Sequence, residues 1–215
     1  MRRILLLAAA AGTLAALAVP ALAQAPAGGP DLARAQTIAK EVCAACHGAD
    51  GNSMTSVNPS IAGQPAEYIT LQLEHFRSGL RANPVMQAMA ATLQPAEMKA
   101  LGVYFSRQKP KGQAAKDATL VIAGQKLFRG GDGAAGIPAC AACHAPNGAG
   151  LSRNYPRLAG QHADYTYAQL KAFKAGERGA DKDGKDVNGT IMATVAGRMS
   201  DAQMKAVAEY TSGLR

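Results

Sequence analysis

The 215-residue chain has no tryptophan, only six tyrosines and four phenylalanines, and four cysteines. Without tryptophan, and with its basic residues scattered, it offers no aromatic and basic face of the kind that binds nucleic acid. After Val19 no apolar run is long enough to cross a bilayer. Negative charge is the scarcer sign, with 15 acidic residues against 23 basic ones. The scarcity of cysteine constrains the chain most. All four cysteines fall in two copies of one pentapeptide, CAACH, at Cys43–His47 and Cys140–His144. None is left for a disulfide between distant parts of the chain.

The first residues read as a targeting segment. Arg2 and Arg3 form a basic start, Ile4 to Val19 is an apolar run, and Ala21-Leu22-Ala23 is a small-residue cleavage site. Cleavage there gives a signal peptide of residues 1–23 and a mature chain from Gln24. The product is then expected to be exported, most simply to a bacterial periplasm. Removal of two arginines leaves 21 basic and 15 acidic residues, a net charge of +6. A solvated surface accounts for that charge, and a weak, salt-sensitive docking face for acidic partners or a membrane complex is compatible with it.

An exported protein with four cysteines would ordinarily carry two disulfides, but a CAAC pair is a poor framework for holding a fold together. A zinc site needs four ligands, and each cluster offers three at most. A thioredoxin-like motif needs a preceding strand, which neither copy has. Cys-x-x-Cys-His is the attachment run of a c-type haem. Its two thiols add across the haem vinyl groups, and the His supplies an axial nitrogen to the iron. Two copies imply two covalent haem c groups, anchored by Cys43, Cys46, Cys140 and Cys143 and ligated by His47 and His144.

The chain is a duplication. An offset of 97 superposes the two motifs and carries Gly51 to Gly148, Pro59 to Pro156, Ile61-Ala62-Gly63-Gln64 to Leu158-Ala159-Gly160-Gln161, Tyr68 to Tyr165 and Phe76 to Phe173. Two copies make a tandem pair of domains, expected at 24–112 and 113–215, with a linker over Lys109 to Lys116. Each copy is about 90 residues, small for an apolar core, and a covalent haem would supply the missing bulk. Periodicity predicts helices over 33–42, 66–78 and 95–107, matched by 120–129, 163–175 and 201–212. The fold class is therefore all-α.

The sixth iron ligand decides the chemistry, since a His/Met pair suits electron transfer and an open site suits peroxide or ligand chemistry. Past the central helix the offset becomes 106, with nine extra residues in a polar loop around Gly179 to Gly189. At that offset Met86 pairs with Met192 and Met98 with Met204. Met89 pairs with Val195, Met199 with Leu93, and Met54 (at the earlier offset) with Leu151, so none of these recurs. Met98 and Met204 sit among apolar residues at helical spacing and read as core. Met86 and Met192 fall in what reads as a loop before the last helix, and they are the expected ligands. His75 pairs with Ala172 and His162 with Pro65, so both read as surface or helix-flank residues. Pro59 and Pro156 each lie twelve residues after their His. Each is either a turn proline or a carbonyl acceptor for the second imidazole nitrogen.

The sequences CAACHGADGNS and CAACHAPNGAG, NPSIAGQPAEY and YPRLAGQHADY, FRSG and FKAG, and VMQAM and IMATV resemble the dihaem cytochrome c4 family, across nearly all of the mature chain. The resemblance implies two class I cytochrome c domains in tandem, His/Met ligation at both irons, a Pro carbonyl on each axial His, and haem propionates meeting near the domain interface. It implies a periplasmic electron carrier rather than an enzyme, supplying a terminal oxidase or other respiratory complex, as a monomer or homodimer. The rivals are a dihaem subunit of a larger dehydrogenase complex and a dihaem peroxidase. The first half departs from the pattern in its short segment Leu80 to Pro84, which implies a tighter first axial loop.

Overall fold

The computed structural model describes residues 29–181 and 183–215. The expected signal peptide and the start at Gln24 lie outside them. The described residues hold ten α-helices and only two isolated β-bridges. The helices are α1 (Leu32–Ile38), α2 (Ala44–His47), α3 (Ala66–Ser78), α4 (Pro84–Ala91), α5 (Pro95–Ser106), α6 (Ala118–Gly130), α7 (Cys140–His144), α8 (Ala163–Lys174), α9 (Val187–Gly197) and α10 (Asp201–Gly213). A π-helical segment, Ala39–Cys43, joins α1 to α2, so the first motif is the end of one long helix.

The halves repeat one packing scheme. In the first, α5 crosses α1 and α3, and α4 lies on α3. In the second, α10 crosses α6 and α8, and α9 lies on α8. Local sequence sets the helix ends. Asp31, Asn83, Asp117, Asp186 and Ser200 each accept from a backbone N–H of the first turn. Pro84 and Pro95 occupy first-turn positions, where a missing N–H costs no helical bond. Gly124 lets α6 and α10 meet, since a Cβ there would lie 2.0 Å from the Ala206 carbonyl oxygen.

Each half has its own apolar core. Ile38, Ile69, Phe76, Met98, Leu101 and Phe105 form one, and Leu127, Phe128, Phe173, Met199, Met204 and Val207 the other. Met98 and Met204 are buried, as their apolar neighbours at helical spacing predicted. The first helices pair differently from the end-to-end match of 33–42 with 120–129. The buried residues Ala35, Ile38 and Ala39 correspond to Gly124, Leu127 and Phe128, an offset of 89. Burial fixes that register, whereas sequence alone gave only the helix ends.

The halves meet through reciprocal contacts. Gln64 donates to the Arg157 carbonyl (2.8 Å) and accepts from the Arg157 N–H (3.0 Å). Gln161 makes the same pair with Ser60, at 2.8 and 2.9 Å. Both pairs obey the 97-residue offset, so the interface has an internal pseudo-two-fold.

Candidate haem-binding sites

Each CAACH ends its helix at a buried histidine. His47 Nδ1 lies 2.8 Å from the Pro59 carbonyl oxygen, and His144 Nδ1 2.9 Å from that of Pro156. A carbonyl only accepts, so Nδ1 carries the proton in both rings and Nε2 keeps its lone pair. Burial lowers both imidazole pKa values, against the opposing effect of the proline carbonyl. Each ring is thus held neutral and oriented, the state in which an imidazole binds a metal.

The cysteines repeat one asymmetry. Cys43 and Cys140 are half-buried, Cys46 and Cys143 exposed, and none of the four is in a disulfide. Burial pushes the Cys43 and Cys140 thiols up to about 11. A redox-active or zinc-binding pair needs the opposite shift.

The expected axial methionines are helical, which corrects their placement in loops. Met86 lies in the first turn of α4, and its N–H donates to Asn83 Oδ1. Met192 lies within α9. The extra residues of the second half lengthen both the connection and this helix, so the polar loop ends at the Asp186 cap rather than at Gly189. In the first half only residues 79–83 separate α3 from α4, a short connection as expected. Met86 packs partly buried against the first core together with Cys43, and Met192 against the second together with Cys140. Met54 is 92% exposed, Met89 is exposed, and Met199 is core.

His75 and His162 are buried, not surface residues. His162 Nε2 donates to the Ser53 carbonyl (3.0 Å) across the halves, and His75 Nδ1 faces Asp186 at 3.9 Å. Their missing counterparts said nothing of burial, because an interface role needs no repeat. Sequence reasoning also missed Arg81 and Arg178, read there as solvated charge. Both join the interface, and their equivalence at offset 97 was the available signal.

An oriented imidazole, two thiols and a half-buried thioether recur in both halves, a donor set that fits haem c. Arg157 Nε, buried without a hydrogen-bond partner among the described residues, fits the carboxylates that haem carries. The family model of cytochrome c matches residues 121–214, and that of cytochrome C oxidase, cbb3-type, subunit III matches residues 30–105. A cytochrome c4 of Thiocapsa roseopersicina is 42% identical over 82% of this chain and 88% of its own. The chain belongs to the cytochrome c4 family. The crystal structure of reduced recombinant cytochrome c4 from Pseudomonas stutzeri superposes with a TM-score of 0.78 at 37% identity, covering 87% of this chain and all (100%) of that one. A thiosulfate dehydrogenase electron acceptor of Thiomonas intermedia (strain K12) is 42% identical over 98% of this chain and 90% of its own. The cytochrome c4 assignment makes the two halves tandem class I cytochrome c folds, each with a covalent haem c, and the protein an electron carrier. No described helix is long and apolar enough to cross a membrane.

Proposed function

We propose that this cytochrome c4 is an exported, periplasmic carrier whose two irons are each closed by a His/Met pair: His47 with Met86, and His144 with Met192. The domains are taken as 24–112 and 113–215, with Cys43, Cys46, Cys140 and Cys143 as the haem anchors. The haem iron, when bound, supplies one-electron ferric/ferrous chemistry. The chain's residues supply the rest. Pro59 and Pro156 fix the imidazole tautomer and rotation. The apolar cores exclude water from the thioether side, where Met86 and Met192 favour the reduced iron and raise the potential. The observation that carries this reading is the recurrence, in both halves, of a proline-held histidine and of a half-buried methionine packed against the same core as a motif cysteine.

The partner is a redox protein. Delivery to a terminal oxidase follows from the family reading. The 42% identity to the Thiomonas protein over 98% of the chain favours a second role, taking electrons from a thiosulfate-oxidising dehydrogenase. Stopped-flow mixing with each partner separates the two. Rapid reduction by thiosulfate dehydrogenase with thiosulfate supports the acceptor role, and reduction no faster than that by thiosulfate alone removes it. Met192→Ala tests the ligand set: the second haem becomes high-spin or water-ligated with a lower potential. Two unchanged low-spin methionine signatures in that variant would rule the assignment out.

A further inference from the structure

The helices that carry the two methionines are held unequally. In α4, Met86 lies in the first turn after the Asn83 cap, so its N–H is a donor that no helical carbonyl can reach. Asn83 Oδ1 takes it, at 2.9 Å. In α9, Met192 lies beyond the first turn, inside the helical ladder. Its cap, Asp186, is itself braced: the Asp186 N–H donates to Asp181 Oδ2, and the carboxylate faces His75 of the first half. At the far end Arg198 donates to the Gly136 carbonyl. Its counterpart at the 106-residue offset is Thr92, whose hydroxyl only turns back to the Met89 carbonyl of α4. One tie is common to both halves, Arg77 to the Leu93 carbonyl and Lys174 to that of Met199, and does not separate them. Among the described residues, no hydrogen bond joins residues 82–92 to another element.

We infer that α4 is a releasable arm that lifts Met86 from its iron and admits a small neutral donor in its place, whereas α9 keeps Met192 bound. This rests on the His/Met reading above. Opening α4 breaks its cap, its own ladder and its apolar contacts. Opening α9 breaks the Asp186 and Arg198 ties as well. The α4 ladder is also the shorter, in a helix of 8 residues against 11. A segment with fewer such ties opens at lower free energy. In the exchange a sulfur–iron bond breaks and a donor–iron bond forms. Each lone pair stays with its own atom, and no electron or proton is transferred. Residues 79–83 are the whole tether from α3, so the arm swings little and the donor must be compact. The first half is thereby a binding site for a small lone-pair donor of the imidazole kind, and the second half is not.

The test is a titration of the full ferric holoprotein with imidazole, at mildly alkaline pH where the titrant is neutral, followed by the methionine–iron charge-transfer bands in magnetic circular dichroism. Met192→Ala leaves only the Met86 band and Met86→Ala only the Met192 band, which assigns the two. The Met86 band should be lost at about tenfold less imidazole than the Met192 band. Asn83→Ala should lower the first threshold by about a further fivefold, and Asn83→Ser, which keeps a cap, should stay near wild type. Arg198→Ala should lower the second threshold and leave the first in place. Hydrogen exchange of the wild type reads the arm without any titrant. Ala90 and Ala196 are equivalent and both 0% exposed, yet the Ala90 amide should exchange about tenfold faster. If Asn83→Ala folds poorly, the wild-type exchange and Arg198→Ala carry the test. Equal or reversed thresholds, equal exchange at the two alanines, or thresholds unmoved by the variants overturn the inference. A missing methionine band in the untreated wild type would instead refute the ligation reading, so the two failures are distinct.

Discussion

Arg81 of the first half and Arg178 of the second share two acceptors. Gln72 Oε1 lies 2.8 Å from one guanidinium and 3.2 Å from the other, and Gln169 Oε1 lies 3.0 and 2.7 Å away. Each arginine also reaches across to a tyrosine hydroxyl, Arg81 to Tyr165 and Arg178 to Tyr68. Each stacks on the phenylalanine of its own half, 4.5 Å from Phe76 and 4.4 Å from Phe173. Two like charges tolerate this closeness because amide, hydroxyl and ring faces all present negative ends to them.

The two arginines should therefore be energetically coupled. Arg81→Met and Arg178→Met are each expected to destabilise the holoprotein by about 2 kcal/mol, by removing charge-assisted hydrogen bonds to part-buried amide and hydroxyl oxygens. The double variant should lose more than the sum, since only it leaves Gln72 and Gln169 without an arginine donor. Denaturant unfolding of the four proteins measures the cycle, and strict additivity would contradict the sharing.

Gly48 and Ala145 follow the histidines of the two CAACH motifs and predict opposite responses. Ala145 has φ 68° and ψ 152°, a region suited to glycine, and Gly48 holds the same conformation at φ 75° and ψ 149°. Ala145→Gly should relieve strain and stabilise the second half by about 1 kcal/mol. Gly48→Ala should destabilise the first half by more, since its Cβ would lie 2.5 Å from the Asn52 carbonyl oxygen. Thermal unfolding reads both. A destabilising Ala145→Gly would show that the strain is absent.

His75 predicts a pH dependence. Burial lowers its pKa below 6.5, with Asp186 and Glu74 opposing and Arg81 and Arg178 reinforcing. The unfolded chain therefore binds this proton more readily than the folded one. Its contribution to stability is complete above the unfolded value of 6.5 and is lost as pH falls through the lowered native value. His75→Asn should lose less stability than the wild type between pH 7 and pH 5. Parallel stability curves for the two proteins would remove His75 from the acid response.

Gln161 predicts the strength of the junction. Its amide satisfies both backbone groups of Ser60 from a buried position. Gln161→Ala leaves that N–H and carbonyl unpaired and should cost about 2 kcal/mol. Gln64→Ala, which strands the same groups of Arg157, should match it. Hydrogen exchange at Ser60 and Arg157 checks the local loosening.

The helices, the duplication and the haem motifs were legible because each rests on local chemistry. A CAACH run needs its residues adjacent, and α3 shows its apolar face in one stretch of sequence. The α3 bounds, Ala66–Ser78, were those the periodicity predicted. Met86 and Met192 were singled out by recurrence, but their helices were missed. Pro84 before Met86 reads as a loop signal, and only the Asn83 cap shows it to be a helix start. Burial of His75, His162 and Arg81 was not legible, because it comes from docking one half on the other. A single sequence shows which residues repeat; it does not show which repeated residues face each other.

The most direct test of the account is near-infrared magnetic circular dichroism of the ferric holoprotein, recorded through a redox titration. The account predicts two low-spin haems, each with a methionine–iron charge-transfer band, and loss of one band only in Met86→Ala and of the other only in Met192→Ala. A high-spin or bis-histidine signature at either haem of the wild type would contradict it.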